Sequence, residues 1–98
     1  MEVQKKKNGE NLLVAVSGRL DTTTALDFGS QITDDLDDIK ELVLDFSDVE
    51  YVSSFGLRMI LDLQKIMNKQ GHMKILNVNE SVRNIFEITG FMKILTVE

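Results

Sequence analysis

An α/β fold, a mixed sheet of four to five strands with three helices, follows from three observations on this sequence. Short apolar runs of strand length recur at residues 12–16, 42–46 and 74–78. Between them lie segments whose apolar residues repeat at helical spacing, and strands that alternate with helices form parallel pairs through right-handed crossovers. Ahead of both, Asn8-Gly9 separates two strand-like stretches, a strong short-range signal for an antiparallel hairpin. The predicted order is ββαβαβαβ.

Each element has its own local reason. Residues 2–7 alternate weakly and pair across the Asn8-Gly9 turn with the run Leu12, Leu13, Val14, Ala15, Val16, which Gly18 closes. Asp21, Thr22, Thr23 and Thr24 are N-cap candidates for a helix over about 22–39, in which Ala25, Phe28, Ile32, Leu36 and Ile39 recur. Leu42, Val43, Leu44 and Phe46 form a third strand, apolar on both faces and therefore central, with a turn-rich polar stretch over 45–50. Ser53 or Ser54 caps a second helix that runs to Gly71. Its apolar residues, Leu57, Met59, Ile60, Leu61, Leu63, Ile66 and Met67, cover more of the circumference than one sheet contact needs. Packing against a neighbouring helix explains that width, and an apolar margin facing a partner is the alternative. Ser81 caps a short helix ended by Gly90, and residues 92–97 read as a last strand.

Composition narrows the functions. With 98 residues and 43% hydrophobic content, the chain suits one domain over 1–98 with one core. No segment approaches the roughly 18 consecutive apolar residues of a membrane span, so no membrane insertion is expected. The first ten residues are polar and lack the apolar core of a signal peptide, which makes the cytoplasm the expected location. The absence of cysteine and the single histidine exclude a disulfide framework and an ordinary zinc site, and no cofactor is expected. A net charge of -5 disfavours nucleic acid, whose phosphates are met by Lys and Arg. Lys5, Lys6 and Lys7 are then a solvated strand end. Asp34, Asp35, Asp37 and Asp38 lack the glycine and distal glutamate of a calcium loop and read as a solvated helix end. Four carboxylates near a helix C-terminus are electrostatically misplaced, which suits attraction of a basic partner surface.

Residues 45–61 read DFSDVEYVSSFGLRMIL, a strand leading through a short loop into a helix that begins with paired serines. This stretch resembles the signature of the STAS family, shared by anti-sigma-factor antagonists and the cytoplasmic tails of sulfate transporters. Tyr51 and Val52 fill the signature's hydrophobic pair, Ser53 its Asp-or-Ser position, Ser54 the phospho-acceptor, and Gly56 with Leu57 the closing dipeptide. Phe55 stands where a small residue is usual, which narrows access to Ser54 or changes which partner fits. The resemblance extends to Gly18-Arg19-Leu20-Asp21 with Thr22 and Ala25, and to Val82, Ile85, Phe86, Gly90 and Phe91. The chain stops at Glu98, where family members commonly continue into another helix. A sheet face left partly uncovered favours a partner or a weak homodimer.

The resemblance implies a non-enzymatic anti-sigma factor antagonist. In the family, the unmodified antagonist binds an anti-sigma factor that is also a serine protein kinase, and so frees a sigma factor. Phosphorylation of the antagonist, here at Ser54 and less favourably at Ser53, ends that binding, and a PP2C-type phosphatase reverses it. Asp21, Thr22, Ser53, Ser54, Phe55, Gly56 and Arg58 are the expected partner-binding residues. Asp21 is expected to position the Ser54 hydroxyl or a partner group, to cap the first helix, or both, since the two roles are compatible; the two serines either form the switch or only cap the second. The competing role is a constitutive STAS interaction subunit of a transport or stress-signalling complex, without phosphorylation. A serine hydrolase is disfavoured because His72, the only histidine, begins a strand and nothing in the sequence brings it to Ser54.

Overall fold

The computed structural model describes residues 1–98. Its elements are β1 (Glu2–Asn8), β2 (Asn11–Leu20), α1 (Ala25–Thr33), β3 (Glu41–Val52), α2 (Ser54–Gln70), β4 (His72–Leu76) and α3 (Glu80–Ile88), followed by a 3₁₀ turn at Phe91–Lys93. The four strands lie in the order β1-β2-β3-β4. β1 is antiparallel to β2, whereas β2–β3 and β3–β4 are parallel. The mixed α/β sheet with three helices is thus the expected fold. Because successive crossovers advance in one direction across the sheet, right-handedness places α1 and α2 on the same face.

Burial follows that arrangement. Leu12, Val14 and Val16 of β2, Leu42, Leu44 and Phe46 of β3, and Met73 and Ile75 of β4 are buried under the helices. The alternate residues face the other way, and Leu13 remains 41% exposed there. A single core of 23 residues unites this face with Phe28 and Ile32 of α1, Leu57, Ile60, Leu63 and Met67 of α2, and Val82 and Phe86 of α3. The wide apolar arc of α2 is divided between sheet and helix, with Met59 and Ile66 packing at the margin of the core. α1 comes so near that a Cβ on Gly29 would stand 2.9 Å from the Met59 sulfur. Helix–helix packing therefore accounts for the part of the arc that lies beyond the sheet contact. Gln64, also buried, donates from Nε2 to Asn68 Oδ1 at 2.8 Å, and its Oε1 has no partner.

Several boundaries differ from the sequence reading. The hairpin loop is Gly9-Glu10, one residue later than expected, because Asn8 pairs with Asn11. α1 covers 25–33 rather than 22–39. At its start, the Asp21 carboxylate holds residues 22–24 in a turn; after its end, Asp35 and Leu36 bond back only three residues, and Asp38 turns left-handed at φ 68°. Leu36 and Ile39 are nonetheless buried, so their periodic spacing reports burial and not helix. The polar stretch at 45–50 is strand: β3 has 12 residues against 10 in β2, and two register shifts absorb the two extra residues as bulges.

α3 is capped by Asn79 and not by Ser81, since Asn79 Oδ1 accepts from the Val82 N–H at 2.8 Å while its Nδ2 donates to Val49 O at 3.0 Å. The last strand contracts to one parallel bridge between Ile75 and Val97, because Phe91–Lys93 turns as 3₁₀ helix first.

Candidate functional site

Two of the sheet's parallel strands, β2 and β3, end together. Leu20 closes β2 opposite Val52 of β3, and the Ser53 N–H donates to Leu20 O at 2.8 Å. The loops after β2 and β3 therefore sit side by side at the carboxyl ends of the strands, where open α/β sheets commonly place their sites. Asp21 and Thr22 come from the first loop, and Ser53, Ser54, Phe55, Gly56 and Arg58 from the second and the start of α2. Six of these seven are at least partly exposed; Gly56 is buried.

The two serines differ. Ser53 is the N-cap of α2: its Oγ accepts from the Gly56 N–H at 3.1 Å, and its carbonyl accepts from the Leu57 N–H at 2.9 Å. Ser54 is the first helical residue, is exposed, and takes no part in the cap. Gly56 is required by close approach: a Cβ there would lie 2.7 Å from Leu20 O and 2.8 Å from Leu20 Cγ. That contact seats the beginning of α2 against the end of β2.

Asp21 serves its own turn. One oxygen accepts from the Thr23 N–H at 3.0 Å, the Thr23 hydroxyl at 2.8 Å, and the Thr24 N–H and hydroxyl, both at 3.2 Å. The Thr23 hydroxyl, followed by the Thr24 amide, holds the carboxyl below the usual range because these bonds favour the charged form. This is the capping alternative, displaced by one turn, since Ala25 N–H in turn reaches Asp21 O at 2.9 Å.

One component was missed. Arg19 and Tyr51, neighbours across β2 and β3, form a cation–π pair with the guanidinium carbon 4.6 Å from the ring centre. The only cue in the sequence was Tyr51's place in the hydrophobic pair; the partner emerges from the bulged register. With Phe55, 43% exposed, the pair makes the end of the sheet aromatic and basic beside Ser54. His72 pairs with Glu41 at the opposite end of β3 and is not available to Ser54 as a base. The four aspartates at 34–38 do not assemble a metal-ligating group; Asp35 is paired with Lys5. No helix is long and apolar enough to cross a membrane.

The site is thus an exposed serine at a helix start, beside the paired ends of β2 and β3, on a sheet covered by helices on one face. The chain belongs to the STAS domain family, whose model matches residues 2–98. It is 26% identical to the anti-sigma-B factor antagonist of Bacillus subtilis (strain 168), over 99% of this chain and 90% of that protein. Among solved structures, it resembles an anti-sigma factor antagonist from Mycobacterium paratuberculosis at TM-score 0.88 and 24% identity, covering 98% of this chain and 83% of that one. It also resembles the anti-sigma factor antagonist SpoIIAA in its unphosphorylated form, at TM-score 0.84 and 17% identity over 99% of this chain and 88% of that one.

Proposed function

We propose that this protein is a cytoplasmic anti-sigma factor antagonist, switched off by phosphorylation of Ser54. The observation that carries the reading is the division of labour between the serines: Ser53 caps α2, and Ser54 stands exposed at its first position. A phosphate on Ser54 meets the positive end of the helix dipole and leaves the fold in place. It adds about -1.5 to -2 charges to a surface that a partner must pack against closely. Steric overlap and desolvation of the phosphate then oppose binding, and a loss of about 2.7 kcal/mol is already a hundredfold in affinity.

The partner on this reading is an anti-sigma factor that is also a serine protein kinase, and a PP2C-type phosphatase restores the binding form. Phe55 and the Arg19–Tyr51 pair supply apolar and aromatic contact area, Thr22 and Arg58 the polar rim, and Gly56 the close seating of the helix. Asp21 fixes the neighbouring loop. A second reading, a constitutive STAS interaction subunit, draws support from Phe55, whose exposed ring beside Ser54 suits a standing apolar contact.

The test is mass spectrometry of the protein from growing and from stressed native cells. Phosphate localised to Ser54 that changes with condition, lost partner binding in Ser54→Asp, and lost regulation in Ser54→Ala are the expected results. A Ser54 that stays unmodified throughout rejects the switch and leaves the constitutive reading.

A further inference from the structure

We infer that the groove between α1 and α2 is a second recognition element, which takes one large apolar side chain flanked by Lys or Arg from the same partner. This deepens the proposed function and rests on it. The groove holds about 240 Å³. Leu26, Gly29 and Ser30 of α1 form one wall and Met59, Asp62 and Leu63 of α2 the other, with Asp34 at one end. Gly29 lets Met59 pack directly onto α1, so that the Met59 side chain forms part of the groove's lining.

Two features suit a partner of that chemistry. Leu26 is 64% exposed on a helix that buries Ala25, Phe28 and Ile32, and with Met59 it gives the groove an apolar lining open to solvent. Phe55 stands one turn before Met59 on the same face of α2, so the apolar strip is continuous with the Ser54 surface. The lining also carries two carboxylates, Asp34 and Asp62, and no cation, and neither carboxylate is in an ion pair. An apolar anchor with basic flanks fills the groove and meets both charges, whereas an acidic segment is repelled. Asp62 lies eight residues along α2 from Ser54, about 12 Å of helix, so the acidic rim and the phosphate act on different parts of the partner.

The test places a photo-crosslinking amino acid at Leu26, at Phe55, or at Leu13 on the open sheet face, in the full chain in its native cells. The expected result is that positions 26 and 55 capture the same protein, and that the peptide linked to position 26 contains a large apolar residue with Lys or Arg on both sides. Asp34→Asn combined with Asp62→Asn should reduce capture at 26 about fivefold, in line with rim charges acting on association. Capture at 55 but not at 26 overturns the groove and leaves the Ser54 surface standing. A linked peptide without basic flanks, a second copy of this chain at 26, or capture indifferent to the two substitutions also overturns it. Capture at neither position overturns the groove and the proposed function together.

Discussion

The two ends of the sheet are built in opposite ways. At the end where β3 begins, the chain is stitched across itself. Gln70 Nε2 donates to both Leu36 O and Ile39 O at 2.7 Å, Lys40 N–H reaches Glu10 O at 2.8 Å, and His72 N–H reaches Lys40 O at 2.8 Å. At the end where β2 and β3 finish, Asp21, Ser53 and Thr24 satisfy the backbone mostly within their own turns. The Ser53 N–H to Leu20 O bond, the Gly56 contact and the Arg19–Tyr51 pair cross between the segments there. Long-range bonds hold one end closed. Local bonds at the other leave Ser54, Phe55, Arg58 and Thr22 exposed.

The largest expected effect falls on the stitched end. A Cβ at Gly71 would lie 1.9 Å from the Lys40 carbonyl oxygen, a backbone atom that cannot step aside. Gly71→Ala should cost about 3 kcal/mol or more, at the upper edge of overpacking effects, read as a shifted urea midpoint. A midpoint within error of the parent would show that this end is looser than its hydrogen bonds imply.

Next comes the pair of serines. Ser53→Ala should lose about 1 kcal/mol as a missing N-cap, and Ser54→Ala should stay within about 0.5 kcal/mol as a surface change. Equal losses in thermal denaturation would erase the distinction on which the switch rests. In the opposite direction, Gln64→Met removes a buried acceptor that lacks a donor. It should raise stability by up to about 1 kcal/mol, and a marked loss would mean that the amide is needed to hold Asn68.

The smallest effect is on pH dependence. Asp21 is held below its ordinary pKa in the folded state, so the stability it contributes is present above the unfolded value of about 3.9 and disappears as pH falls through the folded value. Asp45, lowered chiefly by the Ser47 amide, acts in the same direction. Urea midpoints measured from pH 7 down to pH 3 should fall less steeply in Asp21→Asn than in the parent. Parallel curves would remove Asp21 from the acid response.

The paired serines were visible in the sequence as a helix cap, while Ser54, Gly56 and Asp21 were singled out by the resemblance to the STAS signature; the structure sets the two loops that carry them side by side. The errors share a physical origin. Leu36 and Ile39 continue the apolar spacing of α1 because they are buried, but the helix already ends at Thr33, where Asp35 and Leu36 bond back only three residues. The polar run at 45–50 looked like a loop because a bulge exposes residues that a regular strand would alternate. Asn79 won the third cap because its amide bonds both the helix and Val49, a contact 30 residues away.

Local chemistry by itself determined the alternation of strands and helices and that one of the paired serines caps α2, since these depend on spacing and on groups a few bonds apart. Tertiary structure alone decided which serine caps, that Arg19 meets Tyr51, and that Met59 packs onto Gly29 between α1 and α2. Each of these depends on the register of parallel strands and on the distance between helices, which are set by packing among residues far apart in the chain.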